Sequence, residues 1–581
     1  MAETHKNRYV DAAVLLLLCL LGSLLYSRTL QIPWLFDDIQ NIVENPVVSS
    51  VPSAISNLFG QRGVAYLTFA LNYHFGGTAV AGYHIVNIAI HLLASWVVYL
   101  LAKRAFPTGS SAELSPFTVH NSHFSAFAVA LIFLVHPVQT QAVNYIVQRM
   151  TSLSALFFLT ALYGYCRFRE AGTAPGDSAP PALRFAPQAW YIFSLAAAAL
   201  ALMTKQNAAV LAAALFLFDW LILSEGRIPR PLGRRLLSLV PFVLLACLFI
   251  YLQVGRDDVL LKDAGRAEYW SRAGEASATS RIAPAQSAPV PDPQAAAVPQ
   301  VKIMDKPPRN LQGIYLVTEF SVLWLYQRLL LLPYGQVFDY GYPLEGKLLT
   351  LQNVAAGGGL ILLIVLAFAI HRRQRYVSFG IFWFFVALAV ESTIIPLDAA
   401  VEHRLYLPMF GFAIALVGAI RSLPWQRLAA GLLCLALAGY TAAAWQRNAL
   451  WADPIAFALD GVSKAPGNQR NHITLANAYA EAGRWSEAEA ALRKAIPLRP
   501  FNHIPYDNLG SALFKQGKLT EARRYFGFVM LLKPGYPNAV YNYGVVSIRM
   551  GDMTAAARAL HRLRELGSPL AMQLGSQFMN Q

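Results

Sequence analysis

The chain has 581 residues, 56% of them hydrophobic and only 14% charged, with a formal net charge of +15 and a mean hydropathy of +0.41. So few charges, about half the soluble norm, exclude an ordinary soluble enzyme and point to a polytopic membrane protein. The basic excess forms no stripe with interleaved aromatics, which argues against a nucleic-acid partner, and reads instead as loop Lys and Arg that set topology.

The first apolar run, Val10 to Leu25, follows the short basic head His5, Lys6 and Arg8 with no small-residue cleavage site after it, so it reads as a retained signal anchor. An outer-face loop, 30–78, comes next and contains "PWLFDDIQNIVENP", with the adjacent acids Asp37 and Asp38 where a membrane surface begins. Further runs long enough to cross a bilayer fall near 79–102, 122–137, 141–167, 187–203, 206–224, 235–254, 352–371, 376–395, 402–421 and 425–446, giving about eleven spans with the first. A cytoplasmic N-terminus places Lys103, Arg104, Arg167, Arg169, Arg184, Arg227, Arg230, Arg234 and Arg235 inside, and the Asp37/Asp38 loop and the 255–310 loop outside. The run 311–332 carries Glu319, Gln327 and Arg328. If it crossed, "HRRQR" at 371–375 would land outside, so an interfacial or re-entrant helix is expected there. The 255–310 loop, with "APAQSAPVPDPQAAAVPQ", cannot build a packed core and is expected to be disordered. The four cysteines, Cys19, Cys166, Cys247 and Cys434, all lie in apolar runs without a CxxC.

From 449 onward the composition is soluble. Gly483, Gly517 and Gly551 step by 34 residues, as do Ala488, Ala522 and Ala556, and Pro500 and Pro534. That period is the tetratricopeptide signature, and it gives about three repeats over 469–568, a half repeat before them and a solvating helix after. Gly and Ala are expected to let the paired helices approach. The expected fold is all-α: a polytopic membrane helix bundle, 1–448, followed by an α-solenoid, 449–581, that docks a protein partner.

Ionisable residues within or beside spans are functional by default. On the outer side these are Asp37, Asp38, Glu44, Arg62, His74, His136, Lys205, Glu402, His403 and Arg404, with Arg149 inside the run 141–167. Cations at headgroup level suit a phosphate. An acid beside them suits a general base or a carboxylate nucleophile. Together they suit transfer of a group from a lipid phosphate to a hydroxyl. Lys205 and Arg404 taken singly read more often as snorkelling anchors. No metal-binding spacing is present, although a carboxylate–phosphate site could recruit a divalent cation.

Six segments then carry a family resemblance: "FDDIQNIVENPVV", "YHIVNIAIHLLASWVVY", "HPVQTQAVNYIVQRM", "LMTKQNAAVL", "YQRLLLLPYGQVFDYGYP" and "VEHRLYLPMFGF". In this order, and followed by repeats, they resemble the transmembrane and tetratricopeptide-repeat O-mannosyltransferases, the enzymes that mannosylate cadherins in animals, and their bacterial relatives, within the GT-C class of membrane glycosyltransferases. The resemblance implies a polyprenyl-phosphate-linked sugar, mannose-like, as donor and transfer with inversion. It implies Asp38 or Asp37 as the catalytic acid residue, and Arg149, Lys205 and Arg404 facing the donor phosphate. His136, Glu402, His403 and His74 fall near the site. Departures are Gln206 where the family has Glu, His403 between Glu402 and Arg404, and the short repeat array. Ala-rich spans and small loops fit a bacterial plasma membrane with periplasmic repeats. The alternatives are a glycan- or lipid-modifying transferase whose repeats dock a partner, a non-enzymatic scaffold, and a transporter, against which the outer-end placement of the polar residues weighs.

Overall fold

The computed structural model describes residues 2–107, 122–171, 187–254, 311–342, 348, 350–393 and 398–579. The stretch 255–310, expected to be disordered, lies outside them. Every regular element among the described residues is helical. The chain divides into two compact units. Of the described residues, one holds 2–107, 122–171, 187–254, 312–338, 348, 350–393 and 398–453; the other holds 311, 339–342 and 454–579.

The first unit contains α1 (Ala2–Leu25), α2 (Val51–Ser56), α3 (Gly63–Gly76), α4 (Val80–Ala105), α5 (Ser122–Val135), α6 (Thr140–Asn144), α7 (Arg149–Ala171), α8 (Pro187–Thr204), α9 (Leu211–Phe218), α10 (Leu232–Val254), α11 (Leu311–Leu331), α12 (Leu351–Ile370), α13 (Arg375–Leu388), α14 (Pro408–Arg421) and α15 (Gln426–Trp451). Among the described residues nine helical stretches are long and apolar enough to cross a membrane. One bent pair (Ser122–Val135 with Pro137–Asn144, 49°) and two shorter apolar helices, α13 and α14, accompany them.

The bend has a local cause. Pro137 has no N–H to donate and drives its predecessor out of the helical region, and His136 sits at φ −67°, ψ 129°. Its Nδ1 accepts the Val138 N–H at 3.3 Å. The expected run 141–167 is therefore two pieces. Gln141 and Asn144 lie on α6, and Arg149 begins a separate helix. The expected 402–421 span likewise begins as a single turn, Glu402–Leu405, before Pro408 opens α14 at a position where a missing N–H costs nothing.

One end of this bundle collects basic side chains. Lys103 pairs with Asp11 at 2.8 Å, Arg104 with Glu170 at 2.8 Å and Arg375 with Glu225 at 2.9 Å. Arg421 donates to Ser125. The other end, one helix length away along α7 and α15, carries Asp37, Asp38, Lys205, Glu402 and Arg404.

The second unit opens with α16 (Pro454–Lys464). Three helix pairs follow: α17 (Gln469–Glu481) with α18 (Trp485–Ala495), α19 (Ile504–Lys515) with α20 (Leu519–Leu532), and α21 (Pro537–Arg549) with α22 (Met553–Glu565). The terminal helix is α23 (Leu570–Met579). Ala488, Ala522 and Ala556 are buried between paired helices, as expected. Gly483, Gly517 and Gly551 are not at helix crossings. They take φ of +74°, +78° and +76° in the turns between paired helices, with nothing near an added Cβ. The close-approach glycines are Gly510 and Gly544 instead. A Cβ at Gly510 would lie 2.7 Å from the Phe526 ring, and one at Gly544 2.5 Å from Leu574.

Candidate functional site

The Asp37–Asp38 segment is built around a strained residue. Phe36 takes φ +43°, a left-handed conformation that costs a non-glycine residue about 1–3 kcal/mol and gathers at functional sites. Its ring stacks on Phe338 (centroids 4.2 Å, 12°). The two acids that follow differ in exposure. Asp38 is 1% exposed. Its Oδ2 accepts the Leu35 N–H at 3.0 Å and its Oδ1 the Val147 N–H at 2.7 Å. Burial pushes Asp38 up to about 8, against the pull of those two bonds. Asp37 is exposed. Its own N–H donates to the Tyr145 hydroxyl at 2.8 Å, and its carbonyl accepts from Asn41 at 2.9 Å. Of the pair, only Asp37 is exposed.

Asn41 leads to another of the outer-side cations. Arg62, in the left-handed region at φ +58°, reaches Asn41 Oδ1 at 3.5 Å, and the Tyr66 hydroxyl reaches the same oxygen at 3.4 Å. Arg62 also lowers the proton affinity of Lys205. Lys205 donates to Glu391 Oε1 at 2.7 Å and to the Thr151 hydroxyl at 3.1 Å. Burial lowers the Lys205 ammonium, and Glu391 opposes that shift. Burial pushes Glu391 upward, but Lys205 and Arg404 outweigh it and hold the carboxyl below its ordinary value.

Arg404 is 5% exposed. It donates to the Ala399 carbonyl at 3.0 Å and stands 3.8 Å from Glu319. His403 meets Gln141 Oε1 through its backbone N–H at 2.7 Å and its ring at 3.2 Å. Burial, with Lys205 and Arg404 close by, holds this imidazole well below its ordinary range.

Three other sequence candidates are held by protein partners in this geometry. Arg149 is wholly buried and spent on protein partners. Nε donates to Asn87 (2.7 Å), Nη1 to Asn72 (2.6 Å) and the Thr68 carbonyl (3.2 Å), and Nη2 to the Tyr83 carbonyl (2.8 Å). The guanidinium also covers the Phe69 ring at 4.5 Å. It ties α3, α4 and α7 together. Glu402 is buried, and its Oε2 accepts from Arg447 and from Gln336, both at 2.9 Å. His136 meets the Leu330 carbonyl at 3.1 Å and lies against Tyr440, whose hydroxyl donates to Leu331. These contacts pin the end of α11. His74 stands exposed beside Phe75, about 18 Å along α3 from Arg62 at 1.5 Å per residue.

Sequence reasoning named Arg62 among the outer-side charges without giving it a role, and did not name Glu391, Arg447 or Gln336 as site residues. Glu391 and Arg447 carry a signal in retrospect, as charges at the ends of apolar runs. Among the described residues no group of three or more His, Cys, Asp or Glu side chains is placed to hold a metal ion.

Residues 473–526 and 508–571 match the tetratricopeptide repeat family. Over most of its length the chain is similar to protein O-mannosyl-transferases. It is 24% identical over 521 residues to F38B6.6 of Caenorhabditis elegans, covering 85% of this chain and 64% of that protein. It is 25% identical over 537 residues to TMTC1 of Homo sapiens, covering 84% and 55%. The chain thus spans less than two thirds of the length of these relatives. Among solved structures, ArnT from Cupriavidus metallidurans bound to undecaprenyl phosphate aligns at 13% identity and TM-score 0.37, over 89% of this chain and 79% of that one. The Archaeoglobus fulgidus oligosaccharyltransferase in its apo form aligns at 13% and 0.37, over 83% and 58%.

Proposed function

We propose that the chain is an integral-membrane glycosyltransferase of GT-C type that moves a monosaccharide, mannose-like, from a polyprenyl phosphate to a hydroxyl, on protein, at the outer face of the membrane. The observation that carries this reading is one exposed carboxylate, Asp37, held on a strained loop at the same end of the bundle as the half-buried Lys205 and the buried Arg404. Similarity to protein O-mannosyl-transferases supports it.

In this mechanism the Asp37 carboxylate takes the proton of the acceptor hydroxyl. The freed oxygen attacks the anomeric carbon from the face opposite the phosphate. The bond between that carbon and the phosphate oxygen breaks, and its electron pair leaves with the polyprenyl phosphate. Lys205, Arg404 and Arg62 take up the leaving charge, Arg404 by its planar fork and Lys205 as a point charge. Glu391 pairs with Lys205 at 2.7 Å, and in this mechanism the donor phosphate competes with that carboxylate for the ammonium. Asp38 and Arg149 position rather than react: one fixes the loop, the other the helices beneath it. A divalent cation beside Asp37 and the phosphate is compatible with the chemistry and is not required by it.

Topology follows from the same ends. Tyr315 near the start of α11 donates to the Glu391 carbonyl, and Phe338 just beyond its end stacks on Phe36. These contacts of both flanks with the Asp37 end support the reading of α11 as an interfacial or re-entrant helix. With α11 set aside, the eight other long helices, the bent pair and the two short helices make eleven crossings. The basic end then faces the cytoplasm. The chain leaves α15 on the outer side, so the repeats recruit an acceptor protein there, in the periplasm of a bacterial cell.

The test uses purified protein in lipid, a panel of polyprenyl-phosphate sugars, and cell extract as acceptor source. Release of free polyprenyl phosphate together with labelled protein is expected from at least one donor. Label on glycan or lipid instead would change the acceptor class. No release from any donor would leave a scaffold whose working part is the repeat unit.

A further inference from the structure

A pocket lies at the basic end of the bundle, opposite the end that carries Asp37. Glu225, Arg227, Arg372, Arg373, Gln374, Arg375, Tyr376 and Ser422 surround a cavity of about 640 Å³. Three separate segments supply these residues: the turn after α9, the link from α12 to α13, and the end of α14. The turn is specifically shaped. Glu225 and Gly226 both take positive φ, +55° and +77°, and a Cβ on Gly226 would stand 3.0 Å from the His371 carbonyl. Trp220 lies over His371 at 5.4 Å and closes the contact between turn and link.

The charge in the pocket is unbalanced. Its one acid, Glu225, is taken by Arg375 at 2.9 Å. Arg227, Arg372 and Arg373 have no ion-pair partner among the described residues. Isolated anchors that snorkel would point away from one another into water. Here guanidinium groups from different segments line one concavity, at the level where membrane helices end. Toward the bilayer the apolar side chains of α12 are open, with Phe368 53% and Val365 55% exposed. A planar fork suits a phosphate diester, and basic pockets between helices at the cytoplasmic side hold anionic headgroups.

We propose that this pocket binds the headgroup of an anionic phospholipid, with phosphate among Arg227, Arg372 and Arg373 and acyl chains along the exposed face of α12. It would hold the α9, α12, α13 and α14 ends together from the membrane face opposite the transferase site.

The full chain, in nanodiscs of phosphatidylcholine with or without phosphatidylglycerol, is unfolded by heat. Phosphatidylglycerol is expected to raise the midpoint of the wild type, and an Arg372→Gln/Arg373→Gln variant should lose at least half of that rise. A charge-matched control in the repeats, Arg524→Gln/Arg549→Gln, should keep it. Native mass spectrometry should find phosphatidylglycerol retained on the wild type and depleted on the pocket variant. The proposal is overturned by no rise in the wild type, by a full rise in the pocket variant, or by an equal loss in the control. An equal rise from inorganic phosphate added to phosphatidylcholine discs would also overturn it, since the site would then take a free anion.

Discussion

Replacing Asp38 by Asn separates an anchoring acid from a reacting one. Asp38 offers two acceptor oxygens to two backbone N–H groups, from Leu35 at 3.0 Å and Val147 at 2.7 Å. An Asn offers one oxygen and turns an NH₂ toward the other donor. One bond is lost and a buried N–H is left unpaired, which together cost about 2–4 kcal/mol. The pH dependence has a definite sign. Burial raises the folded-state value of Asp38 to about 8, so its stabilising contribution is fully present below the unfolded value near 4 and is lost as pH rises through 8. The wild type should therefore lose more stability than Asp38→Asn between about pH 4 and pH 8, and the gap between them should narrow. Heat unfolding of both proteins in one detergent across that range measures it, with proteolysis at 33–46 reporting the loop. Equal stability at every pH, with the loop equally protected, would refute the anchoring role of Asp38.

Arg404→Lys keeps the charge but loses the fork that reaches Ala399 and faces Glu319. The KM for the donor should rise about tenfold, roughly 1.4 kcal/mol, as read from initial rates of polyprenyl phosphate release. Arg447→Met strands the buried Glu402 charge and should cost about 3–5 kcal/mol in thermal unfolding, with the double variant Glu402→Gln/Arg447→Met recovering part of it. In the repeats, Gly510→Val drives a side chain into the Phe526 ring. It should destabilise α19–α20 by about 1–3 kcal/mol, seen as faster amide exchange in those helices than in α17–α18.

The repeat unit was the most legible part of the sequence, because a 34-residue step forces the same residue types into the same turns. Even there the physical roles divided differently. Gly483 and its partners supply positive φ, while Gly510 and Gly544 provide the close approach. The apolar runs located most membrane helices to within a few residues, but proline at 137 and 408 moved two boundaries that hydropathy alone cannot see. The site was legible as a set of charges and not as roles. Asp37 and Asp38 are chemically alike, and what buries one is the Val147 N–H, 109 positions away. Arg149, as an intramembrane cation, looked functional by default. Its partners Asn72 and Asn87 are ordinary polar residues, and only folding gathers them around it.

The most direct measurement is a single turnover of a competent polyprenyl-phosphate sugar by wild type and by Asp37→Asn, with donor binding followed in parallel. Loss of the general base should slow release of polyprenyl phosphate by about 10²–10⁴, while donor affinity and the unfolding midpoint stay those of the wild type. Unchanged release from Asp37→Asn, with the protein folded and the donor bound, would contradict the assignment of Asp37 as the reacting carboxylate.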